Sequence, residues 1–213
     1  MKKIKLLVLL TFILIPSNLY ALIEVDITRG NLNPLPIAIS PIHSDKETTN
    51  QIKKLTNVEN VGYEISSVIE NNLRATGLFN PLEQKAFLQK PDVAHLKPRF
   101  EDWSLIKAQA LITGKVEFKD DKVRVEFRLW DVLAAREMLA LAFTTVPNNW
   151  RRIGHIISDK IYERLTGEKG YFDTRIIYVS EKGPKTKRVK KLAIMDQDGF
   201  NTKYLTLGNE LVL

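Results

Sequence analysis

Three histidines, two small groups of acidic residues and a run of lysines and arginines are the side chains with chemical reach in this 213-residue chain. His43, His95 and His155 lie far apart and share no spacing that would put two imidazoles on one metal, so each reads as a polar surface or core histidine. Asp196-Gln197-Asp198-Gly199 resembles the opening of a calcium loop. The twelfth position counted from Asp196 must then supply a bidentate glutamate, and it is Leu207, so the segment reads as a turn. Glu117, Asp120 and Asp121 could in principle share a metal or exchange a proton, but acidic residues between two strand-like runs are ordinary hairpin-tip chemistry. Cysteine is absent, which removes disulfides, thiolate metal sites and cysteine nucleophiles. The chain has no glycine-rich phosphate loop, no G-x-S-x-G elbow and no H-E-x-x-H pair. No catalytic residue, metal ligand or cofactor is therefore assigned. An exported hydrolase would need a site without a sequence signature.

The net charge of +7 is unevenly spread. Lys2, Lys3 and Lys5 belong to a leader, and their removal lowers the charge to +4. Lys182, Lys185, Lys187, Arg188, Lys190 and Lys191 against Glu181 place +5 in one short loop, so the rest of the mature chain carries −1. Nucleic-acid binding would want stacking aromatics or a groove-reading helix beside such a loop, and neither accompanies it, so no nucleic-acid partner is expected. Two readings stay open: a solvated loop that discourages edge pairing, or a patch that binds anionic surfaces with steep salt dependence.

The elements that must position these residues follow from periodicity. Lys2 to Ala21 reads as an export leader: a positive start, an apolar run at Leu6–Ile15 too short to span a bilayer, and cleavage after Ala21. No later segment is expected to cross a membrane. Leu22 to Ile27 alternates apolar and polar residues as a half-buried strand would, free to pair in its own sheet or to be offered to another protein. Pro36 to Ser40 is a short buried-strand candidate, followed by a polar loop through about Thr56. Val58 to Ala75 reads as a helix capped by Asn57, with Val61, Ile65, Val68, Ile69 and Leu73 on one face and Gly77 as its stop.

Beyond that helix, Leu78 to Leu82 leads back toward the sheet and Glu101 to Lys107 is a short helix with Trp103 and Ile106 inward. Gln109–Phe118 and Val123–Trp130 form a hairpin around Asp120-Asp121. Met138 to Val146 follows as a strand. A helix capped by Asn148 then runs to about Thr166 and stops at Gly167. This interleaving predicts an α/β or α+β domain, a mixed sheet packed with two main helices. Arg175–Ser180, Lys191–Met195 and Tyr204–Thr206 read as three further strands. Such a piece is marginal alone, so residues 22 to about 168 are expected to fold and the tail to be poorly packed.

In order and spacing, Asn72 to Leu82, Trp103 to Val116, Ile157 to Val179 and Met195 to Asn201 resemble the TolB family of the Tol-Pal system, over essentially the whole mature chain. The resemblance implies a periplasmic, non-enzymatic adaptor: an α/β N-terminal domain followed by a six-bladed β-propeller, joining the inner-membrane protein TolA to the peptidoglycan-associated lipoprotein Pal. It implies support of outer-membrane integrity and of envelope constriction during division. Its TolA-facing segment, which meets the TolA C-terminal domain, maps onto Leu22, Ile23, Glu24, Val25, Asp26 and Ile27. The implied division is leader 1–21, TolB-like domain 22–168, and an incomplete propeller segment at 169–213. Pal contacts lie on the family's propeller, so no Pal-binding residue is assigned here.

Overall fold

A computed structural model describes residue 23 and residues 33–185 and 187–208. The strands are β1 (Leu35–Ile39), β2 (His43–Ser44), β3 (Phe79–Pro81), β4 (Ala110–Lys119), β5 (Lys122–Asp131) and β6 (Arg136–Thr145). They form one mixed sheet in the order β3-β1-β4-β5-β6, with β2 paired to β4. β1 runs parallel to both β3 and β4, whereas β4, β5 and β6 are antiparallel. Loop length explains the difference. Asp120 and Asp121 close the β4–β5 hairpin with φ of 51° and 55°, a two-residue turn whose twist suits antiparallel strands. The parallel pairs instead need helical crossovers.

Those crossovers contain a helix that the polar composition of residues 41–56 concealed. α1 (Lys46–Thr56) is capped by Asp45, whose carboxylate accepts from Thr48 N at 2.7 Å. Asn57 ends α1 in the left-handed conformation (φ 59°) and does not begin the next helix. α2 (Val61–Ala75) starts instead at Asn60, whose side chain accepts from Tyr63 N at 3.1 Å. The two asparagines are three residues apart, and the amide of either can cap, so local sequence does not choose between them. Glu59, between the two asparagines, pairs back with Lys53 of α1 at 2.6 Å. α5 (Trp150–Thr166) follows a single 3-10 turn at Pro147–Asn149; Asn149, not Asn148, occupies its cap position. Gly167 ends it at φ 77°.

α2 and α5 pack side by side on one face of the sheet. Ile65, Ile69 and Leu73 meet Ile153, Ile157, Ile161 and Leu165 over Val123, Val125, Phe127 and Leu129. Among the described residues the opposite face is covered over β1 and β4 alone. There α3 (Pro91–Ala94) and α4 (Phe100–Leu105) enclose Ala38, Leu111, Trp103 and Val132. This second layer explains why Ala110–Thr113 are buried in succession while β5 alternates strictly. On the uncovered part, Lys115, Glu117, Arg124 and Glu126 form a cross-strand ionic lattice.

Gln89 organises the second layer. Its Oε1 accepts from Trp103 Nε1 (3.1 Å) and Arg99 N (2.9 Å), and its Nε2 donates to Lys97 O (2.9 Å). Replacing Gln89 by leucine leaves those buried donors unpaired and is expected to cost about 2 kcal/mol in urea unfolding. A loss below ~0.5 kcal/mol would show that water replaces the amide at no cost.

Three further strands, β7 (Arg175–Lys182), β8 (Val189–Asp196) and β9 (Lys203–Tyr204), form a separate antiparallel sheet. Its connector is not loose. Asp159 on α5 accepts from Phe172 N (2.6 Å) and Asp173 N (3.1 Å), and Phe172 is buried in the main core beside Tyr162. The expectation of a poorly packed tail is therefore corrected at its start, because an aspartate inside a helix and a distant aromatic meet only in three dimensions.

Candidate functional site

Three regions are candidates. Of the segment Leu22–Ile27, Ile23 is described; Leu22, Glu24, Val25, Asp26 and Ile27, and with them the expected strand, lie outside the described residues. Ile23 is half-buried against the main core. It lines a groove of about 660 Å³ with Leu139 and Leu141 of β6 and Lys160, Glu163 and Arg164 of α5. Among the described residues β6 is the outer strand of its sheet, so the groove adjoins its edge. Arg164 Nε donates to Met138 O at 3.2 Å, and Lys160 pairs with Glu163 at 2.8 Å, which leaves an apolar floor with a paired polar rim.

The basic loop joins β7 to β8. Arg188 and Lys190 both engage Glu181, whose carboxyl they hold below the usual range, Arg188 first through its hydrogen bond. Lys191 lies 5.3 Å from the Tyr204 ring centroid, an aromatic partner that sequence distance hid. Lys182, Lys185 and Lys187 are exposed and make no ion pair among the described residues. The six cations thus divide, and the free patch is half of what composition suggested.

The third region, which no motif announced, lies where the β8–β9 turn meets α2 and α5. A cleft of about 500 Å³ opens there, with Arg151, Arg152, His155, Asp173, Arg175 and Asp196 on its walls. Buried Asn72 is its hub. Asn72 Nδ2 donates to Ser158 Oγ (2.9 Å) and to His155 Nδ1 (3.0 Å), and Asn72 Oδ1 accepts from Gln197 Nε2 (3.0 Å). Ser158 Oγ donates to Gly154 O, so it must accept from Asn72, which assigns the amide orientation. With Nδ1 accepting, the His155 ring proton belongs on Nε2, 3.6 Å from Asp198 Oδ2. Burial pulls the His155 pKa below its ordinary value; Asp198 opposes that shift and Arg151 adds to it. The only clue in the sequence was the polar character of Asn72, His155 and Ser158 on helix faces that are otherwise apolar.

His155, Asp196 and Asp198 bring one ligand atom each within 4.8 Å of the others. They do not fit a metal. Arg151 already pairs with Asp198, Arg175 and Asn201 engage Asp196, and the imidazole nitrogen facing the carboxylates carries the proton. What the cluster presents is charge-assisted hydrogen bonding. His43 and His95 stack at 4.5 Å between ring centroids, away from this cluster.

The fold and these sites define a mixed α/β domain joined by an anchored connector to a small antiparallel sheet. Residues 23–138 match the family model of the TolB amino-terminal domain, and the chain belongs to that family. The chain is 76% identical over 202 residues to the Tol-Pal system protein TolB of Pelagibacter ubique (strain HTCC1062), a match covering 95% of this chain and 45% of that protein. It thus spans about half the length of this curated relative. The crystal structure of TolB from Acinetobacter baumannii superposes with a TM-score of 0.65 at 24% identity, over 82% of this chain and 39% of that one, which shows the shared fold. Among the described residues no helix is long and apolar enough to cross a membrane.

Proposed function

We propose that this chain acts in the periplasm as a non-enzymatic adaptor of the Tol-Pal system, with Leu22–Ile27 as the segment that meets the TolA C-terminal domain. Membership of the TolB family carries the reading, supported by 76% identity to a Tol-Pal system protein. Ile23 of that alternating segment lines a groove beside β6, the outermost described strand, which suits recognition by strand addition or by a short apolar anchor. The Lys2–Ala21 leader would deliver the mature chain, with residues 22–168 as the TolB-like domain and 169–213 as propeller strands. Its work there would be outer-membrane integrity and envelope invagination during division. Pal is the second partner of the system, and no residue of this chain is assigned to it. A second reading rests on exposed Lys182, Lys185 and Lys187: binding of anionic surfaces through the loop 182–191.

The test is capture of the mature chain, from Leu22, by immobilised TolA C-terminal domain and by Pal in parallel. Capture by TolA that is lost on deleting residues 22–27 is the expected result. Capture that survives the deletion would place the TolA contact elsewhere, and a folded chain that neither partner captures would overturn the adaptor reading. Retention on anionic vesicles that collapses between 50 and 300 mM salt, about a two-fold change in Debye length, would favour the second reading.

A further inference from the structure

We propose that Asn72, Arg151 and His155 form a carboxylate-binding site on the paired helices α2 and α5, and that its ligand is the chain's own acidic β8–β9 turn. Each part of the turn is used. Asp196 O accepts from Gly199 N at 2.9 Å, and Gly199 sits at φ 87°, so the turn is tight and its side chains project outward. Asp198 Oδ1 accepts from Phe200 N within the turn, which leaves Oδ2 to face Arg151 and His155. Gln197 reaches Asn72 from the preceding position, and the Phe200 ring lies 3.7 Å from the Arg151 guanidinium carbon. Acid, amide and aromatic of three neighbouring turn positions thus meet three complementary groups.

The site is built for an anion. Arg151 Nε and His155 Nε2 are buried and have no hydrogen-bond acceptor among the described residues, so it offers more donors than the turn consumes. Without Asp198, a guanidinium and a buried imidazole N–H would face each other with no acceptor between them, which is costly in a desolvated site. The other charged groups around the cleft are Asp173, on Arg152, and Asp196, on Arg175, with Lys203 at the wall. None of them replaces Asp198 between Arg151 and His155. In the second sheet Ala193 is buried while Ile176, Ile177 and Val179 of β7 remain exposed, so the polar contacts of the β8–β9 turn carry a large share of its attachment to α2 and α5. Occupancy of the site, together with the Asp159 anchor of the connector, therefore fixes where that sheet sits.

The test uses the full chain, three principal variants and the single variant Arg151→Glu as a reference. Asp198→Asn keeps the shape of the turn and removes the anion; Asp196→Asn is the control, because Asp196 pairs within its own sheet with Arg175. Proteolysis of the connector at 168–174 should accelerate ~10-fold in Asp198→Asn and less than ~2-fold in Asp196→Asn, the scale of losing one partly buried ion pair. The NMR titration of His155 should move to lower pH in Asp198→Asn, since the anion that favours imidazolium is gone. The third variant, Arg151→Glu with Asp198→Arg, reverses the pair and should recover slow proteolysis relative to Arg151→Glu alone. An unchanged His155 titration together with unchanged proteolysis in Asp198→Asn overturns the proposal. So does a charge reversal that recovers nothing in a chain whose α/β core melts normally.

Discussion

Truncating Phe127 to alanine is expected to lower stability by about 4 kcal/mol, enough to shift Tm by roughly 10 °C in a domain of this size. Phe127 is fully buried at the middle of β5, between Gly114 of β4 and Leu141 of β6 in register. Its ring stacks over Phe143 at 6.3 Å, on the face that α2 and α5 cover. Removing the ring leaves a cavity bordered on both sides by strands whose ladders resist collapse, so the cost should lie at the upper end for an aromatic deletion. Phe127→Leu, which keeps most of the volume, should cost under ~1.5 kcal/mol. Urea unfolding of the three proteins measures both numbers. A loss below ~1.5 kcal/mol for the alanine variant would mean that the sheet relaxes around the site.

The second large effect concerns a position where helix propensity and packing give opposite signs. Gly62 sits in the first turn of α2, and alanine there should favour the helix by up to ~1 kcal/mol. An added methyl group would, however, overlap the carbonyl oxygen of Ile42. That oxygen belongs to backbone held in place: Ile42 N donates to Ser66 Oγ at 2.9 Å, and Ser66 in turn donates to Gly62 O at 3.0 Å. Packing wins, and Gly62→Ala is expected to destabilise by about 3 kcal/mol. Gly77 provides the comparison. At φ +70° with open space around its Cα, Gly77→Ala should cost only ~1 kcal/mol of backbone strain. If thermal melts rank the two substitutions the other way, α2 does not approach the β1–β2 connection as closely as described.

Much of the fold was legible because local pattern and tertiary role agreed. Val123, Val125, Phe127 and Leu129 alternate, and all four are buried; Ile153, Ile157, Ile161 and Leu165 recur at helical spacing, and all four face the core. The boundaries were less legible. Asn57 and Asn60 are equally good caps, and what decided between them was α1, a helix with only Thr48 and Ile52 buried and therefore almost no apolar stripe to announce it. Trp103 read correctly as inward, but its partner Gln89 sits fourteen residues upstream in a stretch without periodicity.

Taken alone, the sequence determined the mixed α/β architecture, the two principal helices, the hairpin strands and the resemblance to the TolB family, because each rests on the order and spacing of neighbouring residues. It also located the basic loop, though not the fact that Arg188 and Lys190 both pair with Glu181. Tertiary structure alone decided that an isolated histidine and an acidic turn belong to one site. Asn72 and Gln197 are separated by 125 positions and bond at 3.0 Å. No periodicity spans that interval. Hydrogen bonding between buried polar groups depends on distances of a few ångströms and on desolvation, and both arise only when α2, α5 and the β8–β9 turn are brought together.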